Sequence, residues 1–127
     1  MGVNLNESCT YLPYLLGRLF AVMEKAQIES AGGKENIKRT IRDSYFVSAA
    51  STPSSIFQKL FQLSEYHMRK LERDKPWFAH RLSRERTCIM SEVKETIPSR
   101  FTAEESNSFY IGYYHQMQKL YEKKEEK

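Results

Sequence analysis

Leu12, Leu15, Leu16, Leu19, Met23 and Ala26 recur at spacings of three and four, a period that confines this segment to a helix with one apolar face. Thr10 is a candidate N-cap, and Pro13 falls in the first turn, where its missing N–H costs little. Gly32-Gly33 then offers the left-handed backbone that ends a helix. The spacing therefore predicts a helix that begins near Tyr11 and stops at the glycine pair.

The same period returns down the chain. Asn36 is a candidate N-cap for a second helix that turns Ile37, Ile41, Tyr45 and Phe46 inward and ends around Ala50 or Ser51. Thr52-Pro53 marks the start of a third, because proline at the first helical position already has the φ angle required. Its apolar side is Ile56, Phe57, Leu60, Leu63, Met68 and Leu71, and its polar stripe is Lys59, Tyr66, Arg69, Lys70 and Arg73. Asp74 and Pro76 mark a break. Phe78, Leu82, Ile89, Val93 and Ile97 then predict a fourth helix ending before Pro98. Thr102-Ala103-Glu104-Glu105 is a capping box opening a fifth, which runs through Phe109, Tyr113, Tyr114, Met117, Leu120 and Tyr121. No strand-period run, repeat or low-complexity linker competes, so the expected fold is all-α, a single compact bundle of about five helices filling residues 1–127.

A chain of 127 residues can bury a modest core without metal or disulfide staples. Cys9 and Cys88 have no C-x-x-C partner and read as free packing thiols. The longest apolar runs, such as Leu19 to Met23, end quickly at charges, and no charged leader precedes an apolar segment, so a cytoplasmic protein without membrane contact is expected.

Catalytic patterns are weak. His67, His80 and His115 lie far apart, without metal-site spacing, and read as hydrogen-bonded packing residues. Glu92-Val93-Lys94 matches the E-x-K fragment of a metal-dependent nuclease, but the predicted helix there offers no strand bearing a further acid, and a solvated pair is the better reading. The glycines are too scattered for a phosphate loop, and the serines of residues 48–55 belong to helix ends. No enzyme activity, cofactor, metal or small-molecule substrate is expected.

Charge is the more telling pattern. The formal net charge is +4, and residues 69–86 alone hold seven cations against three acids. Residues 34–42 add Lys34, Lys38, Arg39 and Arg42 against Glu35, whereas Glu122 to Lys127 balance three of each sign and read as a solvated helix end. Phosphate binding needs long cations on a rigid support, and Lys38, Arg39 and Arg42, with Lys59, Arg69, Lys70 and Arg73, supply them on successive helices. An ordinary solvated helix face remains the alternative for any one cluster. Among the aromatic residues, Phe20, Phe46, Phe57, Phe61, Phe109 and Tyr113 read as core, and Tyr66, Trp77 and Tyr110 as candidate exposed contacts for a base or a partner protein.

The stretch Ile37-Lys38-Arg39-Thr40-Ile41-Arg42-Asp43-Ser44-Tyr45-Phe46 and its continuation Ser48-Ala49-Ala50-Ser51-Thr52-Pro53, with Tyr14 to Phe20 before it and Ile111 to Gln116 after it, resembles the C-terminal, small-subunit region of the large subunit of type I-C CRISPR surveillance complexes (Cascade). The likeness is strongest over Tyr14 to Gln27, Ile37 to Leu71 and Phe101 to Tyr121. It implies a helical small subunit made from an internal start, with Met1 where such a product begins, and present in more than one copy. The implied partners are the large subunit, the backbone subunits and further copies of itself, together with guide RNA and target DNA bound without regard to sequence. The implied role is to hold the displaced strand and stabilise the R-loop, a nearly balanced exchange that modest backbone contacts can tip. On that expectation Lys38, Arg39, Arg42, Lys59, Arg69, Lys70, Arg73, Arg81 and Arg84 contact phosphates. The alternative is a structural helical adaptor that bridges protein subunits and has no nucleic-acid affinity of its own.

Overall fold

In the computed structural model, which describes residues 5–121, a helix over Leu12–Ser30 (α1) forms the axis of the molecule. All of its residues except Gln27 and Glu29 are buried, because four further helices surround it: Ile41–Ser51 (α2), Pro53–Asp74 (α3), Pro76–Ser91 (α4) and Ala103–Tyr121 (α5). The described residues contain no strand, as the apolar spacing predicts. Glu122 to Lys127 lie outside them.

Contacts at the two ends give the topology. At one end Ile41 N donates to Gln27 Oε1, Lys70 Nζ reaches Ser30 O, Lys75 pairs with Glu29, and Lys25 sits over the Tyr121 ring. At the other, Phe101 N donates to Ser51 O and Ser54 N to Pro98 O. So α1, α3 and α5 run one way and α2 and α4 the other, an up-down-up-down-up bundle. The core layer is Leu15, Leu16, Leu19, Phe20 and Met23 of α1 against Phe57, Leu60 and Leu71 of α3, Leu82 and Ile89 of α4, and Phe109 of α5.

Helix α1 stops as predicted. Gly32 and Gly33 have φ of 87° and 135°, and their N–H groups donate to Glu29 O (3.2 Å) and Ile28 O (3.0 Å), which satisfies the last carbonyls of α1. Its start lies at Leu12, with Tyr11 and not Thr10 in the capping position and no side-chain cap.

The start of α2 differs more from the sequence expectation. Asn36 ends a short 3₁₀ turn, Lys34–Asn36, and its Nδ2 donates to Ala31 O at 2.8 Å, so its side chain is already committed to the end of α1. The helix begins instead behind Thr40, whose hydroxyl accepts from Asp43 N (3.3 Å) while Asp43 Oδ2 accepts from Thr40 N (3.0 Å). This capping box satisfies two backbone donors and leaves Ile37 in an extended lead-in. The matching box at α5 forms as predicted, between Thr102 and Glu105, at 2.8 and 3.2 Å.

Thr52 closes α2 and opens α3, its hydroxyl donating back to Ser48 O at 3.0 Å. Leu63 faces water at 37% exposure, since the buried side of α3 is set by Phe57, Leu60, Ser64, Met68 and Leu71. Helix α4 ends at Ser91, short of the predicted boundary. Val93, Ile97 and Phe101 pack on the core from the loop between α4 and α5, so their apolar character does report burial, though not helix.

Candidate nucleic-acid interface

The buried side of α3 dictates what the opposite side presents. Lys59, Tyr66, Arg69 and Arg73 are all exposed, and Lys59, Tyr66 and Arg73 follow one another at two-turn intervals of about 10 Å. Tyr66, 64% exposed, stands between the cations. Arg69 lies 4.0 Å from Glu65, both more than half exposed, a pairing too weak to withhold the guanidinium from a ligand.

The remaining candidates divide by what they touch. Lys38 and Arg39 are exposed in the approach to α2, where Arg39 makes only long contacts, 3.3 Å to Ser44 Oγ and to Asp43 O. Arg84 is exposed on α4 beside a shallow cleft of about 300 Å³ shared with Arg81, Cys88 and Lys119. Arg42, Lys70 and Arg81, by contrast, are half-buried and tied into the fold. Lys70 Nζ reaches Ser30 O at 2.8 Å and Asp74 at 3.2 Å. Arg81 reaches Leu120 O at 3.5 Å and lies over the Phe78 ring. Arg42 donates to Tyr114 Oη at 2.6 Å and stacks 5.0 Å from the centroid of Phe46. The hydrogen bond to Tyr114 pushes the Arg42 pKa up against the opposing effect of burial.

The topology brings most of these residues to one end of the bundle. Lys38, Arg39 and Arg42 begin α2 where Arg69, Lys70 and Arg73 finish α3 and α4 begins, whereas Lys59 and Arg84 lie further along their helices. At the opposite end Glu92, Glu95, Glu104 and Glu105 outnumber Lys94 and Arg100. The bundle is thus electrically polarised, and a phosphate chain would be drawn to the end where α1, α3 and α5 finish.

Other candidates fall elsewhere. Trp77 is 69% exposed at the start of α4, whereas Tyr110 is half-buried against Phe46 (4.9 Å) and is part of the core wall. Glu92 and Lys94 lie in the loop after α4, not on a helix, beside Thr10 and Glu95. His115 Nδ1 pairs with Tyr14 Oη at 2.8 Å, His67 is half-buried with its pKa lowered by that burial, and His80 is exposed. Cys9 and Cys88 are free thiols.

A polar chain inside the fold has no signature in the sequence. Arg18, 4% exposed, donates from Nε to Gln116 Oε1 at 2.8 Å, and Gln116 Nε2 donates to Glu85 Oε1 at 2.8 Å. Glu85 then pairs with Lys119 (2.7 Å), which also holds Glu7 (2.5 Å). The hydrogen bond from Lys119 holds the Glu7 carboxyl below its ordinary pKa. Lys119 is therefore neutralised by two carboxylates, and the buried Arg18 reaches Glu85 only through the Gln116 amide.

No helix among the described residues is long and apolar enough to cross a membrane. Among curated proteins, none matches the chain. The family model described as CRISPR-associated protein (Cas_Csd1) matches it over residues 1–121.

Proposed function

The chain belongs to this CRISPR-associated Csd1 family, and from that membership we propose that it serves as the non-catalytic small subunit of a type I-C surveillance complex, holding nucleic-acid backbone and stabilising the R-loop. The observation that carries the reading is the exposed side of α3, where Lys59, Tyr66, Arg69 and Arg73 form a stripe that runs towards the basic end of the bundle and reaches it at Arg69 and Arg73. Cations set along a rigid helix suit a phosphate chain of any sequence. Lys38 and Arg39 add exposed cations at the same end and Arg84 a further one on α4, while Lys70 and Arg81 are held by carbonyls of the fold. Guide RNA, target DNA, the large and backbone subunits and further copies of the chain are the partners in this reading.

The test is R-loop formation by complexes carrying wild-type chain or Arg69→Glu/Arg73→Glu, measured across salt concentrations, with direct titration of the isolated chain against single-stranded and duplex DNA. Phosphate contacts predict a steep salt slope that the double substitution flattens. Unchanged R-loop formation at every salt concentration rejects this surface.

A structural adaptor is the second reading, favoured by Val47 and Trp77, each 69% exposed. It predicts normal assembly from a chain that binds no DNA at any salt concentration.

A further inference from the structure

Away from the α3 stripe, α1, the turn after it, the start of α2, and α5 border a shallow, open cleft of about 340 Å³, at the small end of the range of roughly 300–1,000 Å³ usual for ligand pockets. Tyr114, Met117 and Tyr121 line it from one side of α5, Lys34 from the 3₁₀ turn after α1, Arg42 from the first turn of α2, and Glu24 from α1. The Tyr121 ring is held by Lys25 Nζ, 3.6 Å from its centroid.

Among the described residues, one side-chain donor beside this cleft lacks a hydrogen-bond partner, and one buried carboxylate lacks an ion-pair partner. Glu24 is 3% exposed and accepts a hydrogen bond from the Tyr113 hydroxyl, yet enters none of the ion pairs among the described residues. Arg42 keeps Nε buried without a hydrogen-bond partner, the one such side-chain atom among the described residues. Buried polar groups in folded proteins are almost always satisfied, so the idle Arg42 donor calls for an acceptor, and the Glu24 carboxylate, bonded to Tyr113 but without a counter-charge, has capacity to accept once more.

Aromatic faces suit a flat ring, the carboxylate suits an amino group, and the two cations suit phosphate. We propose that this cleft receives one unstacked nucleobase of a single strand, against Tyr114 and Tyr121, with Glu24 accepting from its exocyclic amino group and Lys34 and Arg42 meeting the flanking phosphates. Adenine, cytosine and guanine carry that amino group and thymine and uracil do not, so the site distinguishes bases. The inference rests on the nucleic-acid reading above and adds base discrimination to a surface otherwise indifferent to sequence.

The experiment titrates the full chain with single-stranded dA, dC and dT oligonucleotides and an abasic strand of equal length, over a range of salt concentrations. The expected result is about tenfold tighter binding of dA and dC than of the abasic strand, with dT between them. Strands bearing 2-aminopurine should lose fluorescence on binding. Tyr121→Ala should remove most of the gain over the abasic strand, and Glu24→Gln should remove the preference of dA and dC over dT. Equal affinity for dA and abasic strands, with the salt slope intact, overturns the base site and leaves the backbone reading standing. Absence of binding to every strand overturns both.

Discussion

Gly17 of α1 and Gly112 of α5 let the two helices touch backbone to backbone. A Cβ on Gly17 would lie 1.9 Å from Phe109 O, and one on Gly112 would lie 2.2 Å from Tyr14 O. Backbone cannot retreat as a flexible side chain can. An exposed helical Gly→Ala change normally stabilises by about 1 kcal/mol, but at this contact the sign reverses. Gly17→Ala and Gly112→Ala should each destabilise by about 3 kcal/mol or more, as overpacked cores do, read as a lowered urea midpoint. A midpoint at or above that of the wild type would contradict the close approach.

The start of α2 makes a second prediction. Thr40→Ala removes the capping box and should cost about 1 kcal/mol, whereas Asn36→Ala, which loses one exposed contact to Ala31 O, should cost less. Denaturation of the two variants side by side checks the order, and equal losses would move the helix start back towards Asn36.

Lys70 and Arg73 are three residues apart in sequence and should separate stability from binding. Lys70→Met strips the bond to Ser30 O and should lower the urea midpoint with little change in the salt dependence of DNA binding. Arg73→Gln should leave the midpoint alone and reduce the salt slope by about 1. The opposite pattern would reverse the roles assigned to the two side chains.

Acid should loosen the same end of the molecule. Burial raises the pKa of Glu29, but hydrogen bonds from Lys75 and Lys25 outweigh it and hold the carboxyl below its ordinary value of 4.5. The stability this contributes is present above pH 4.5 and lost as pH falls through the lower, folded-state value. The urea midpoint of wild type should therefore fall more steeply below pH 4.5 than that of Glu29→Gln, and parallel curves would remove Glu29 from the acid response.

Much of the architecture was legible because helix signals are local. Thr52-Pro53, the Thr102–Glu105 box and the Gly32-Gly33 stop all act within a few residues and stand where the sequence puts them. The Thr40–Asp43 box was equally local, but Asn36 offered a competing cap, and nothing nearby announces that its amide is needed at Ala31 O. What could not be read was whatever depends on residues distant in the chain. Gly17 looks like any helical glycine until α5 arrives, and Arg18 looks like a surface cation until Gln116 meets it. For the site, sequence located the basic clusters, while sorting Lys59, Arg69 and Arg73 from Lys70 and Arg81 required the partners that only folding supplies.

An odd number of antiparallel helices leaves one helix macrodipole uncancelled. Since α1, α3 and α5 finish at the basic end and α2 and α4 begin there, the uncancelled charge at that end is negative, about half an elementary charge. Lys70 on Ser30 O and Arg81 on Leu120 O sit against terminal carbonyls of this kind. Part of the protein's positive charge thus answers its own peptide groups, and the salt slope expected of the proposed DNA contacts is shallower than a count of lysines and arginines suggests.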